Sequence, residues 1–433
     1  MADEKNWIRE AMFYHIYPLG FTGAPLRNEG EATAGGRILE VLDWIEHFKE
    51  LGINAIYFGP IFESVSHGYD TTDYYQTDSR LGSKEDFKKV FTALHENGIR
   101  VIVDGVFNHV GRKFFAFLDV QKNLEQSDYK DWFCNLNFSW QSPLGDSFSY
   151  ENWHGAAELV KLNLRNPAVC EHLLGAVGMW MDELGIDGLR LDAADCVDRE
   201  FFKRLHSFTK GKREDFWLMG EIIHGDYRVW ANDEMLDSVT NYECWKGIYS
   251  SHNDKNYFEI AYSLKRQFGQ GGLYENLCLY NFLDNHDVNR IGSLLKQREN
   301  LKNAYTLLYM MPGIPSIYYG SEWGIEGVKG QGMDAALPLR PKLDLEEMCA
   351  QETDLPAHIR ELAKIRKESD AVKYGAYDEV LVRNKQFVFA RRSGEQYKVI
   401  ALNLTDHAET LHFSYQGKEY EVLLEAYTSK IME

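Results

Sequence analysis

Carboxylic acids follow short apolar, strand-like runs at four places in this 433-residue chain. The four segments are residues 103–109, 185–192, 219–221 and 282–287. A single Asp after a strand most often caps a helix, so any one of these segments is weak evidence of chemistry. Two carboxyl groups that meet, however, can cleave a glycosidic bond, because one attacks the anomeric carbon while the other protonates the leaving oxygen.

The spacing of the four carboxylates indicates that they can meet. Asp192 and Glu221 are 29 residues apart, about one strand–helix–strand unit of roughly 30 residues, and Glu221 and Asp287 are 66 apart, about two units. Asp104 precedes Asp192 by 88 residues, which is one unit plus an insertion. The spacing therefore predicts that all four lie at the same end of neighbouring parallel strands.

Arg190 and Asp192 stand two positions apart on one predicted strand, so their side chains point the same way. A guanidinium beside a carboxylate favours its ionised form, as a nucleophile requires. The alternative is a buried ion pair without a chemical role. Glu221, close to other carboxylates, is expected to have a raised proton affinity, which suits a general acid.

The elements that must position these residues alternate between strand and helix. Short β-rich runs are followed by segments whose apolar residues recur every three or four positions. We expect strands near residues 12–17, 55–58, 101–103, 188–191, 216–219, 238–242, 277–282 and 314–319, and helices near 38–51, 84–97, 167–184, 199–209, 257–268 and 301–311. Eight such units predict an α/β fold, a (β/α)8 barrel with parallel strands.

Two segments break this rhythm. Residues 108–160 are aromatic and loop-like, and from about residue 370 the pattern is strand-like alternation without helices, which is typical of a small antiparallel β-domain. We therefore predict a catalytic barrel over 1–107 and 166–369, an inserted domain B over 108–165 and a C-terminal β-domain over 370–433.

Composition excludes several classes of protein. With 47 Lys and Arg against 66 Asp and Glu, the formal charge is −19, and no basic stripe offsets it, so nucleic acid is not an expected partner. The longest apolar stretch, residues 304–320, is interrupted by prolines and is shorter than a membrane span, so no membrane is expected either. Residues 1–5 lack a secretory pattern, and six Cys without paired or metal-type spacing suggest reduced thiols in the cytoplasm.

Taken in order, the four segments resemble the signature regions of the α-amylase family of glycoside hydrolases, family 13. Residues 52–60, 68–74, 161–163 and 313–320 match further stretches of that family. The resemblance implies that Asp192 is the nucleophile, Glu221 the acid/base, and Asp287 a third carboxylate that binds sugar hydroxyls.

The resemblance also implies supporting roles. Arg190 would orient the nucleophile, His109 and His286 would hydrogen-bond the sugar at the attacked carbon, and Tyr69 would stack on its ring. The alternative for a lone histidine is a packed core residue. Asp104 resembles a structural carboxylate that pairs with Arg190.

Some residues depart from the secreted members of the family. The nucleophile is followed by Ala193, as in enzymes that cut α-1,4 bonds, and not by the Lys-His that serves substrate and calcium. Asn108 is the candidate Ca²⁺ ligand, although an Asn after a strand can equally cap a turn, and no metal or other cofactor is required. Residues 161–163 resemble intracellular maltogenic amylases, cyclomaltodextrinases and neopullulanases, although the sequence begins at the barrel, without their N-terminal domain.

We therefore expect a cytoplasmic, retaining hydrolase of α-1,4 bonds in maltodextrins and malto-oligosaccharides, either a monomer or a weak homo-oligomer. One alternative is a transglycosylase on the same scaffold, which would transfer the glycosyl group to an acceptor other than water. A second alternative is a catalytically inactive partner or binding subunit, which would be expected to lack a catalytic carboxylate.

Overall fold

The structure is a computed structural model, and it describes residues 7–30, 36–332, 334–351 and 353–433. Residues 1–5, on which the expectation of no secretory signal depends, lie outside this range. No helix of the described ranges is both long and apolar enough to cross a membrane.

Eight parallel strands form the centre of the molecule. In chain order they are β1 Phe13–Ile16, β2 Ala55–Phe58, β3 Arg100–Gly105, β4 Gly188–Leu191, β5 Trp217–Gly220, β6 Ser238–Val239, β7 Tyr280–Phe282 and β8 Ile314–Tyr318. They are hydrogen-bonded in the order β6-β5-β4-β3-β2-β1-β8-β7. A parallel bridge between Thr240 and Tyr280 joins the two outer strands, so the sheet closes into the predicted (β/α)8 barrel.

Apolar side chains of the strands pack on both faces of the barrel wall. Alternate residues point inward, so Phe13, Tyr57 and Met219 belong to a compact apolar cluster inside the barrel. Their neighbours in the strands, such as Tyr14 and Ile56, join the larger core between the strands and the helices. Both faces are apolar because parallel strands in a barrel are covered on each side.

Helices surround the strands. The longer ones are Lys84–Glu96, Pro167–Met179, Arg199–Lys212, Tyr242–Asn253, Phe258–Phe268, Leu301–Met310 and Leu355–Glu368, and the shorter ones are Trp7–Glu10, Pro18–Phe21, Ile45–Glu50, Ile291–Leu294, Leu345–Cys349 and Asp370–Tyr374. The helix predicted over 38–51 is instead a 3₁₀ helix, Arg37–Trp44, followed by an α-helix. The strand predicted over 238–242 is shorter, because Asn241 caps a helix that starts at Tyr242.

The inserted segment is more ordered than predicted. It contains the helix Phe115–Asn123 and a three-stranded antiparallel sheet formed by His109–Gly111, Ala156–Lys161 and Asn152–Trp153. Its aromatic residues pack on one another, as when Phe117 meets the rings of Phe133 and Tyr150. Closely spaced aromatic residues obscure the three-to-four-residue spacing of apolar positions in a short helix, so the sequence did not predict this helix.

From Ala376 onward the C-terminal segment is antiparallel β-structure, as predicted, but its first residues form the short helix Asp370–Tyr374, where no helix was expected. One sheet contains Ala376–Val382, Gln386–Ser393, Gln396–Asn403 and Ser429–Met432, and a hairpin contains Glu409–Tyr415 and Lys418–Leu424. Buried Arg391 ties this segment to the barrel by donating to the carbonyl of Met310 at 2.9 Å. The three domain boundaries given above remain predictions. All six cysteines are free.

Candidate active site

The predicted carboxylates lie at one end of the barrel because each belongs to the carboxyl end of a strand. Asp104 is near the end of β3, Asp192 and Glu221 directly follow β4 and β5, and Asp287 follows β7 by five residues. In the sheet register, Arg190 of β4 stands opposite Asp104 on one side and opposite Met219 of β5 on the other. Arg190 therefore lies between the strands that carry Asp104 and Glu221, and Asp192 follows its own strand.

One guanidinium binds three carboxylates. Nη1 of Arg190 donates to both oxygens of Asp104, at 2.9 and 3.0 Å, and to Oδ1 of Asp192 at 2.9 Å. Its Nη2 lies 2.8 Å from Oε2 of Glu221. Arg190 is only 3% exposed, so these charge-assisted contacts form away from bulk water. Arg190 thus holds Asp192 and Glu221 side by side.

Asp104 is the structural member of this cluster. The hydroxyl groups of Tyr57 and Tyr69 donate to its Oδ2, at 2.8 and 3.1 Å. Together with Arg190 they satisfy a carboxylate that is fully buried. This environment agrees with the anchoring role that the resemblance implies for Asp104.

The charge balance favours retention of a proton in the cluster. Burial raises the pKa of Asp192, and the neighbouring Glu221 and Asp104 raise it further, although Arg190 acts in the opposite direction. Arg190 acts in the predicted direction, but one guanidinium shared among three acids does not outweigh burial, so the pKa of Asp192 stays above its ordinary value. Two carboxyl groups that cleave a glycosidic bond with retention of configuration need one proton between them, because one group attacks while the other donates the proton.

Glu221 receives two further contacts. The hydroxyl of Tyr242 donates to its Oε1, and the backbone N–H of Ala193 donates to its Oε2, both at 3.3 Å. Ala193 adopts a left-handed conformation with φ +43°, which is uncommon for a residue with a side chain. Such strain is found where surrounding contacts impose it, and here it brings the Ala193 N–H to the carboxylate.

Asp287 lies in a different environment. Its side chain is 36% exposed, Nε2 of His286 lies 3.0 Å from Oδ2, and Nη2 of Arg340 donates to Oδ1 at 2.9 Å. Burial raises the pKa of Asp287, but His286 and Arg340 outweigh it and hold this pKa well below the ordinary value. Asp287 is therefore ionised, as a carboxylate that accepts hydrogen bonds from sugar hydroxyls must be.

His109 is placed to bind a polar ligand. Its Nε2 is buried, has no hydrogen-bond partner among the described residues and lies 4.0 Å from Oδ2 of Asp192, while the Asn108 amide donates to Nδ1. Burial lowers the pKa of His109 to about 3, so the ring is neutral and carries its proton on Nε2. This N–H is available to a sugar hydroxyl.

His286 and Tyr69 form a stacked pair. Their rings are 5.5 Å apart and nearly parallel, and the Tyr69 hydroxyl bonds Nε2 of His286. Nδ1 of His286 is buried and has no partner among the described residues. The stacking of Tyr69 on a sugar ring remains a prediction, since one face of Tyr69 already meets His286.

Sequence reasoning missed two residues that contact the site carboxylates, Arg340 and Tyr242. Arg340 lies in the connection after β8, where no motif marks it, and its guanidinium also stacks on Tyr17 at 4.3 Å from the ring centroid. Tyr242 begins a helix that was not predicted. The loop that brings Arg340 back over Asp287 depends on tertiary packing, so the sequence carries no local signal for it.

Asn108 does not fit a calcium site. Its Oδ1 is buried and has no hydrogen-bond partner in the part of the chain that the structure describes, which leaves one acceptor available there. Among the described residues, however, no group of three or more His, Cys, Asp or Glu side chains could hold a metal ion. Ca²⁺ takes about six to eight oxygen ligands, several of them carboxylates, so one amide oxygen does not constitute a site.

Comparisons with known proteins agree with this geometry. The family described as "Alpha amylase, catalytic domain" matches residues 15–354. A cyclomaltodextrinase from a Bacillus species is 31% identical over 428 residues, which cover 94% of this chain and 74% of the relative. The intracellular maltogenic amylase of Bacillus subtilis is 31% identical over 386 residues, covering 85% of this chain and 63% of the relative. The ligand-free structure of cyclic alpha-maltosyl-(1→6)-maltose hydrolase from Arthrobacter globiformis superposes with a TM-score of 0.86 at 26% identity, covering 99% of this chain and 98% of that one.

Proposed function

The chain belongs to the α-amylase family of glycoside hydrolases, and on this premise we propose that it hydrolyses α-1,4 bonds of maltodextrins and malto-oligosaccharides with retention of configuration. The observation that carries the proposal is the binding of Asp192 and Glu221 by one guanidinium. Retaining enzymes need their two carboxyl groups about 5–5.5 Å apart, whereas inverting enzymes separate them by ~6.5–9.5 Å. Attachment to a single Arg190 supports the closer arrangement.

In the proposed first step, Asp192 attacks the anomeric carbon while Glu221 gives its proton to the glycosidic oxygen. The C–O bond to the leaving sugar breaks, and a covalent β-glycosyl ester forms on Asp192. In the second step Glu221 takes a proton from water, the water oxygen attacks the same carbon, and Asp192 is released. Two inversions restore the α configuration.

The remaining residues hold the sugar. Ionised Asp287 accepts hydrogen bonds from sugar hydroxyls on the ring that is attacked, and Arg340 and His286 keep this carboxylate charged. His109 donates its free N–H to another hydroxyl. These hydrogen bonds fix the ring in the orientation that attack by Asp192 requires.

The names of the relatives support malto-oligosaccharide substrates. One is a cyclomaltodextrinase and another a maltogenic amylase. An inactive partner subunit is not favoured, because the sequence retains all three expected carboxylates, two of which, Asp192 and Glu221, bind the same Arg190.

The test removes one carboxylate at a time. Asp192→Asn and Glu221→Gln should each lower turnover of maltoheptaose by about 10³-fold or more while the melting temperature stays near that of the wild type. The matched controls are Asp195→Asn, an exposed Asp three positions after Asp192, and Glu234→Gln, whose side chain is 72% exposed. Wild-type turnover in either active-site variant would refute the assignment, and products longer than the substrate would identify transfer in place of hydrolysis.

A further inference from the structure

Asn285 connects the backbone that carries Asp287 to the acid/base Glu221. Its Oδ1 accepts the backbone N–H groups of Asp287 at 2.8 Å and of Val288 at 3.1 Å. On the other side its Nδ2 donates to the hydroxyl of Tyr242 at 3.0 Å, and that hydroxyl donates to Oε1 of Glu221 at 3.3 Å. Asn285 is only 8% exposed. A buried chain of hydrogen bonds therefore runs from the loop of Asp287 to the carboxyl group of Glu221.

The contacts of Asn285 set the direction of the Tyr242 hydroxyl proton. A backbone N–H can only donate, so the amide oxygen of Asn285 must face the two N–H groups and its NH2 must face Tyr242. The Tyr242 oxygen therefore accepts from Asn285, and its own proton points to Glu221. Burial raises the pKa of Tyr242 well above the ordinary value, and the charges of Glu221 and Asp287 raise it further, so the hydroxyl keeps this proton.

The ring of Tyr242 is held in place by its neighbours. It meets the ring of Phe282 edge-on, with the centroids 4.9 Å apart, and the ring of Trp245 edge-on at 5.6 Å. Tyr242 is also the first residue of its helix, directly after the cap Asn241. Because these contacts determine where the hydroxyl oxygen lies, the direction of its proton is what Asn285 contributes.

The two oxygens of Glu221 have different surroundings. Oε2 lies 2.8 Å from Nη2 of Arg190 and accepts the N–H of Ala193 at 3.3 Å, so two donors face it. The proton that Glu221 gives to the glycosidic oxygen therefore belongs on Oε1, the oxygen that Tyr242 contacts. As this proton leaves, negative charge develops on Oε1, and a hydroxyl whose proton already points there stabilises the charge without reorganisation.

We infer that Asn285 is a positioning residue for the acid/base, because it directs the Tyr242 proton to the oxygen of Glu221 that protonates the leaving group. The inference rests on the proposed function and adds to it a residue that acts on the chemical step through Tyr242. Its contribution is confined to steps in which Glu221 gives or takes a proton. A leaving group that departs without a proton does not need it.

The test compares two leaving groups. Maltoheptaose loses a sugar whose oxygen must be protonated, whereas α-maltosyl fluoride loses fluoride, the anion of a much stronger acid, with little help from a proton. Loss of one hydrogen bond to a developing charge is expected to cost about tenfold in rate. We therefore expect the ratio of kcat/KM for maltoheptaose to that for α-maltosyl fluoride to fall about tenfold in Asn285→Ala, about tenfold in Tyr242→Phe, and no further in the double variant.

Two more variants separate this role from a structural one. Asn285→Asp keeps an oxygen for the two backbone N–H groups but lacks the NH2 donor, so the ratio should fall at least as far as in Asn285→Ala. Asn403→Ala is the matched control in the C-terminal segment. Asn403 is also buried, accepts the N–H of Thr405 two positions later at 3.2 Å, and donates to the carbonyl of His407 at 2.9 Å. This control should keep the wild-type ratio.

Each outcome decides between the two proposals. Falls of about tenfold that do not multiply in the double variant support the inference, and Asn285→Asp decides if Asn285→Ala does not fold. Equal losses on both substrates in the Asn285 variants, or a fall of about a hundredfold in the double variant, overturn the inference and leave the proposed function intact. Absence of maltoheptaose hydrolysis by the wild type would overturn the proposed function, and this inference with it.

Discussion

Replacement of Arg190 by Lys tests whether one planar guanidinium organises the site. Arg190 reaches three carboxylates through contacts of 2.8 to 3.0 Å, using two nitrogens at once. A lysine keeps the positive charge but has a single nitrogen on a flexible stem, so it cannot span the same three groups. We expect at least two charge-assisted hydrogen bonds to be lost.

The expected loss follows from these contacts. Each hydrogen bond to a charged group contributes ~1.5–3 kcal/mol, so two amount to ~3–6 kcal/mol, or a fall in kcat/KM of about 10²- to 10⁴-fold. The pH profile should move as well. Arg190 lowers the pKa of Asp192 against the effect of burial, so a weaker contact raises that pKa. Because the nucleophile must be ionised, the acid limb of kcat/KM should shift to higher pH.

The assay is the pH dependence of kcat/KM on maltoheptaose, with circular dichroism to verify the fold. Arg112→Lys is the matched control, because Arg112 also binds a carboxylate, Asp146, through two nitrogens but lies in the inserted segment. This control should keep the wild-type acid limb. Wild-type kcat/KM and an unmoved acid limb in Arg190→Lys would refute the reasoning.

Three further predictions concern neighbouring groups. Tyr242→Phe removes a donor to Glu221 and should lower kcat by about tenfold in steady-state kinetics, with wild-type kcat as the contrary result. Arg340→Met removes one of the groups that lower the pKa of Asp287, so this pKa should rise and the acid limb should move to higher pH; a profile identical to that of the wild type would contradict this. Dialysis against EDTA should leave the melting temperature unchanged, because Asn108 offers a single amide oxygen, and a fall reversed by Ca²⁺ would disprove it.

The barrel could be predicted from sequence because its strands are short apolar runs separated by helical periods. All eight strands occur where they were expected, with ends that differ by a few residues. The helix Tyr242–Asn253 was missed because only two residues separate it from the strand before it. The second of these residues, Asn241, caps the helix. Such a boundary depends on one side-chain hydrogen bond, which periodicity does not reveal.

The residues of the site likewise include some that the sequence could predict and some that it could not. Strand alternation and spacing were enough to predict that Arg190, Asp192 and Glu221 meet, because strand geometry fixes where these side chains go. Arg340 could not be predicted, since the connection after β8 brings it to Asp287, which stands 53 positions earlier in the sequence. The effect of Arg190 on the pKa of Asp192 has the predicted sign, but the larger effect of burial could not be predicted, because burial depends on the surrounding fold and not on neighbours in sequence.

The most direct test of the mechanism identifies the residue that becomes glycosylated. The enzyme would be treated with 5-fluoro-α-D-glucosyl fluoride, whose ring fluorine slows the second step, then digested and analysed by tandem mass spectrometry. A glycosyl ester on Asp192 is the predicted result. A glycosyl ester on Glu221 or Asp287, or an active enzyme that acquires no label, would contradict the account.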